Sequence, residues 1–299
     1  MQEDAGFNLY GYVPNLAPNI VMLVLFSLSS IVHLAQVVYY RQWWLLVLPV
    51  GTLAEVGGYI PRIIGHTQTS MRDPYVATMC LLIITPCLFA AIHFTVLGRM
   101  CTLFPRKYTL VRPVFVMPFF VCVDVASLII QGVGAGQAGT SDSVDVARSG
   151  SNITAAGVAV QLAGYLLFFS LFAVFYYRIR RDPPAGLEQM HPLMLATMAS
   201  SAWIILRSIY RLVEMGEGWD GVINNTEWCL FVFDGAFVFI AVTIYNFVHP
   251  GKYLPRDFSW NYHPEKHGAW WVNEKKDTLE SPPVAYPEHA EFKKEVEAV

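Results

Sequence analysis

A chain of 299 residues that is 55% hydrophobic and only 14% charged lies far from soluble domains, in which about a quarter of residues carry charge. Its formal net charge of −3 supplies no basic surface for nucleic acid. These proportions exclude a soluble globular domain and predict an all-α, polytopic membrane protein.

Seven apolar blocks approach the length of about 20 residues that a bilayer requires. They fall at about 17–39, 43–64, 75–99, 114–133, 155–177, 193–213 and 227–248. The short segment before the first, 1–16, carries Glu3 and Asp4 and no cationic leader pattern, so helix 1 is expected to act as its own insertion signal. Breakers separate the blocks, among them "HTQTSMRDP" after helix 2, "GVGAGQAGTSDSVDVARSGSN" after helix 4 and "RRDPPAG" after helix 5. With the N-terminus outside, the inner loops hold Arg41, Arg99, Arg106, Lys107, Arg112, Arg178, Arg180 and Arg181, and the outer loops only Arg72 and Arg148. The bias of cations toward the cytoplasm therefore predicts an outside N-terminus and a cytoplasmic C-terminus. Sequons at Asn152 and Asn224 fall in the predicted outer loops and are candidate glycosylation sites. The membrane domain is expected over 17–249. Beyond it, 250–299 turns polar, with a Pro-Pro and few aliphatics, and reads as a disordered cytoplasmic tail open to cytoplasmic partners.

Ionisable groups inside the spans are costly and by default functional. In chain order, helix 2 carries Glu55 and Arg62 and helix 4 carries Asp124 and Gln131. Helix 5 carries Gln161, helix 6 Arg207, Arg211 and Glu214, and helix 7 Glu227 and Asp234. On helices 2, 4, 6 and 7 the end-to-end spacing is seven residues, which returns to one face within about 20°. Counting depth at 1.5 Å per residue places Arg62, Gln131, Arg211, Glu214 and Glu227 at the outer rim. Glu55, Asp124, Gln161, Arg207 and Asp234 then fall roughly 9–15 Å deeper. The predicted picture is a two-tiered polar chamber in the outer half, able to hold the head of an amphiphile. The alternative is a network that only fixes helix register. His33 and His93 lie at similar depth in the inner half. They are candidate haem or metal ligands without supporting motif spacing, and packing histidines are the simpler reading. No cofactor is expected. No P-loop or GxSxG elbow occurs, and five cysteines without CxxC spacing read as small buried hydrophobes.

Several short motifs occur in order across the spans. They are "YVPN", "EVGGYIPR", "TPCLFAA", "DVASLIIQGVGAG", "GVAVQLAG", "LRSIYRLVEMGEGWDG", "EWCLFVFD" and "HPG". Together they resemble the fungal RTA-like proteins, also called the lipid-translocating exporter family, over residues 10–251. The resemblance implies a seven-helix protein of the plasma membrane, or of an endomembrane or vacuole, linked to resistance to toxic lipids. It implies an exporter of amphiphiles such as sphingoid bases, with membrane lipids as partners and no catalytic step. The family's charged positions match Glu55, Arg62, Asp124, Gln131, Arg207, Arg211, Glu214, Glu227 and Asp234. Rival expectations are a seven-helix sensor of lipid asymmetry, a porphyrin or haem transporter, and an intramembrane lipid hydrolase.

Overall fold

Asn15 starts the bundle. Its side chain accepts a hydrogen bond from the Ala17 amide at 3.2 Å and caps α1 (Leu16–Tyr40), which Arg41 ends in the left-handed conformation. A 3-10 turn, Trp43–Leu46, leads into α2 (Val47–Gly65). Then come α3 (Arg72–Leu103), α4 (Pro113–Thr140), α5 (Val144–Arg181) and α6 (Leu187–Glu217). The seventh span, α7 (Glu227–Tyr253), is not uniform. It is α-helical over Glu227–Cys229, π-helical over Leu230–Ala236 and α-helical again over Phe237–Phe247. The computed structural model describes residues 12–67, 71–140, 144–184, 186–217, 221–223 and 225–255. These contain seven helices long and apolar enough to cross a membrane and no strand.

Neighbours in sequence are neighbours in space, and α7 returns to α1. The central member is α3. It also touches α5 and α6, and 67% of its apolar window is buried, against 22% for α4 at the periphery. Outward faces carry side chains such as Leu28, Ile31 and Ile129, more than half exposed, as lipid contact requires. Inside, rings from three helices interlock: Phe94 of α3, Phe120 of α4 and Phe168 of α5, with the Phe94 and Phe168 centroids 4.8 Å apart.

The closest helix pair, α4 with α5, meets backbone to backbone. A Cβ on Gly150 would stand 2.6 Å from both the Ala138 nitrogen and the Gly134 oxygen, and one on Gly134 would stand 2.5 Å from the Thr154 nitrogen. Small residues permit this approach where no hydrophobic force drives helices together. As a result α5 begins at Val144 rather than near 155, and α4 continues to Thr140. Asn152, expected in a loop, is exposed on the α5 helix. Asn224, most of the 1–16 segment and the tail from residue 256 lie outside the described residues.

Candidate ionic network within the bundle

The deepest part of the network forms where α6 faces the π-helical turn of α7. Asp234 stands between two arginines. Its Oδ1 lies 2.6 Å from Arg207 Nε and its Oδ2 2.5 Å from Arg211 Nη2, while Arg211 Nε donates to Oδ1 at 3.0 Å. Arg211 Nη1 donates to Glu214 Oε2 at 2.9 Å, and Tyr210 donates to Glu214 Oε1 at 3.1 Å. All four charged side chains are 3–5% exposed. Two cations and two anions thus form one neutral chain, Arg207–Asp234–Arg211–Glu214, ending on a phenol. A π turn inserts an extra residue and re-aims side chains, a device frequent at functional sites, and here it surrounds Asp234.

Arg207 has a second contact that the sequence explains. Its Nη2 donates to the Leu82 carbonyl at 2.7 Å. Leu82 lies four residues before Pro86, which is inside α3 and has no N–H to give that carbonyl. The arginine replaces the missing helix bond, so it is tied to α3 as well as to α7. Arg207→Lys, which keeps the charge but loses the fork, is expected to cost about 2 kcal/mol of stability. In a Pro86→Ala background, where Leu82 regains its in-helix donor, the same change should cost less than half as much. Equal costs in the two backgrounds, measured by thermal unfolding of purified protein, would refute the coupling.

A second cluster closes the end of the bundle at which α1 begins. Arg62 is paired with Glu227 at 3.2 Å and with the Tyr12 hydroxyl. Glu227 accepts from the Asn15 amide at 2.8 and 3.0 Å, and the Pro14 carbonyl lies 2.7 Å from His66 Nδ1. The segment Tyr12–Asn15 therefore straps α2 to α7 ahead of α1. Burial pushes the Tyr12 phenol above its ordinary range, with the Arg62 charge opposing. Tyr12 and Asn15 were not among the expected site residues. The signal available for them was the "YVPN" motif itself.

A third cluster joins α3, α4 and α5. Gln131 Nε2 donates to Gln161 Oε1 at 3.1 Å, and Gln161 Nε2 contacts Cys87 Sγ at 2.8 Å. Two carboxyl groups stand beside these networks without a cation of their own. Glu55, 2% exposed, lies in the field of Asp234, Arg207 and Arg211, yet forms no hydrogen bond or ion pair with a described residue. Asp124, 4% exposed, has a buried Oδ2 without a hydrogen-bond partner and lies within electrostatic reach of Cys87 and Tyr165.

The expected two tiers are therefore corrected. Arg211, assigned to the rim, binds the deep Asp234, and Glu214 is held by Arg211 at 2.9 Å. Gln131, assigned to the rim, bonds directly to the deep Gln161. Arg62 and Glu227 form a separate layer with Tyr12 and Asn15. The deep side chains are packed against one another at 2–8% exposure. His93 follows the simpler reading, a packing histidine. His93 Nε2 lies 2.8 Å from Ser200 Oγ and its Nδ1 2.6 Å from the Tyr165 hydroxyl, so both ring nitrogens are engaged in packing. The histidine beside His33 is His249, with ring centroids 6.4 Å apart. Among the described residues no three His, Cys, Asp or Glu side chains are grouped to hold a metal ion. Cys87, Cys101 and Cys229 are buried as expected, whereas Cys80 and Cys122 are exposed.

Residues 48–257 match the family described as RTA1 like protein. The chain belongs to this family. "Protein RTA1" of Saccharomyces cerevisiae is 31% identical over 279 residues, covering 84% of this chain and 87% of the relative. A second yeast relative, "Sphingoid long-chain base transporter RSB1", is 26% identical over 282 residues, covering 82% and 74%. "Protein RTM1", also from yeast, is 34% identical over 203 residues, covering 65% and 63%. No solved structure matches the chain. The matched region begins within α2 and contains all the charged residues of the deep network as well as Arg62 and Glu227.

Proposed function

We propose that the protein moves single-chain cationic amphiphiles of the sphingoid-base kind across a fungal membrane, the plasma membrane, and that it does so without catalysing a reaction. The observation that carries this reading is the pair of uncompensated buried carboxyl groups, Glu55 on α2 and Asp124 on α4, beside an ionic network already neutral in itself. An ammonium entering between the helices would find two acids whose other partners are taken, while Arg207 and Arg211 stay committed to Asp234 and Glu214. The apolar chain of such a ligand suits the lipid-facing surfaces between helices. The transporter named among the yeast relatives supports the same substrate class.

The test is lipid movement by purified protein in vesicles, followed with a fluorescent sphingoid base whose outer-leaflet fraction is quenched chemically. Wild type should exchange the probe between leaflets. Glu55→Gln and Asp124→Asn should each slow exchange about tenfold, the loss of one charge-assisted contact. Neither should lower the unfolding temperature, because each replaces a buried acid that lacks a partner by an amide of the same shape. Wild-type vesicles that bind the probe without moving it would overturn translocation in favour of a sensor. Unimpaired exchange in both variants would overturn the carboxylate site.

A further inference from the structure

At the opposite, basic end of the bundle a groove remains that the ionic network does not use. It opens where the 3-10 turn Arg106–Tyr108 meets the last turns of α5, and its volume is about 580 Å³. That lies within the range of about 300–1,000 Å³ typical of small-ligand sites. One wall is a single face of α5: Val174, Tyr177, Arg178 and Arg181, at positions i, i+3, i+4 and i+7, which share one side of the helix. The other wall holds Lys107 and Tyr108. It is fastened by Asp182, whose Oδ2 lies 2.5 Å from Lys107 Nζ and whose backbone oxygen accepts from the Tyr108 hydroxyl at 2.8 Å. The Lys107 charge holds the Asp182 carboxyl below its ordinary range.

The balance of charge in the groove is uneven. Asp182 answers Lys107, but the guanidinium groups of Arg178 and Arg181 form no hydrogen bond or ion pair with any described residue. Along the α5 axis the order is also directional. The two arginines occupy the final turn, and Tyr177 and Val174, 64% and 36% exposed, lie nearer the membrane centre. From the end of the helix inward, the groove therefore offers cationic forks, then a phenol, then an aliphatic surface. A membrane phospholipid presents the complementary sequence: phosphate, glycerol, acyl chain. A guanidinium fork also matches phosphate oxygens in a two-point geometry that an ammonium does not.

We propose that this groove binds the phosphate of an anionic membrane lipid, with Arg178 and Arg181 as the donors and Val174 and Tyr177 against the first part of the acyl chains. The site is separate from the ionic network and does not depend on which amphiphile the protein moves. It fixes the depth of α5 in the bilayer by a specific headgroup.

Binding is tested on the full-length protein, purified in a neutral detergent and titrated with phosphatidic acid, phosphatidylcholine and inorganic phosphate, with bound lipid counted by native mass spectrometry. Wild type should retain phosphatidic acid about tenfold more strongly than phosphatidylcholine, as expected when a second charged contact is available. The double variant Arg178→Gln, Arg181→Gln should abolish that preference without changing the unfolding temperature in lipid-free detergent, since neither side chain has a partner to lose among the described residues. Asp182→Asn, which releases Lys107 into the groove, should tighten binding by about two- to threefold. A preference unchanged in the double variant would overturn the site. Displacement of phosphatidic acid by millimolar inorganic phosphate would overturn the lipid reading and leave a free-anion site. If the double variant cannot be purified, the salt dependence of wild-type binding decides: retention unaffected by added salt would exclude phosphate contacts by arginine.

Discussion

Replacing Asp234 by asparagine is expected to cost about 3–5 kcal/mol of stability, enough to threaten folding altogether. Its carboxylate stands between Arg207 and Arg211 at 2.6 and 2.5 Å, and both arginines are buried. An amide keeps the shape but leaves Arg207 without a counter-charge and Arg211 with Glu214 alone, and repulsion between the two cations is added to the lost pairing. Glu214→Gln should cost much less, because Arg211 retains Asp234 and the Tyr210 hydroxyl can still find an amide oxygen. The ratio of the two costs, measured as unfolding in detergent or nanodiscs, tests whether Asp234 is the hub. Comparable losses would show that the network has no centre.

The second large effect belongs to the α4–α5 seam. Gly150→Ala is expected to destabilise by about 2–3 kcal/mol, because the added methyl meets peptide atoms rather than a side chain that can turn away. Gly132, on the facing helix α4, has nothing within 4 Å of where a Cβ would stand. Gly132→Ala should therefore be neutral or stabilising by up to about 1 kcal/mol, through helix propensity alone. Opposite signs for two glycine-to-alanine changes at neighbouring helices are a sharp expectation. If both variants unfold at the wild-type temperature, the seam is looser than its geometry.

Much of this architecture was legible in the residues. Seven spans follow from apolar blocks, since a bilayer demands a minimum length and rejects exposed backbone. The polar stripes of α2, α4, α6 and α7 followed from spacing. What spacing could not supply was which members meet. Depth counted along the helix axis treats a side chain as a point, yet the long Arg211 side chain reaches a carboxylate placed in another tier. The π turn at Leu230–Ala236 adds to the error by breaking the regular rise on which the count rests, and no residue pattern announced it. The start of α5 was misplaced for a different reason. Polar residues such as Asp145 and Arg148 lower hydropathy without stopping a helix, and glycines read as loop markers proved to be contact points. Tyr12 and Asn15 were missed because their work is tertiary: each answers a residue far away in sequence, on α2 or α7.

The neutrality of the Arg207–Asp234–Arg211–Glu214 chain bears on how the protein relates to the voltage across its membrane. Moving one elementary charge through the field involves about 2.3 kcal/mol per 100 mV. A cluster with equal numbers of each sign, displaced as a unit, experiences almost no net electrical work. The network is thus a rigid joint that helices can carry with them as they shift, without making the protein a voltmeter. Any electrical sensitivity has to enter elsewhere than through this neutral chain.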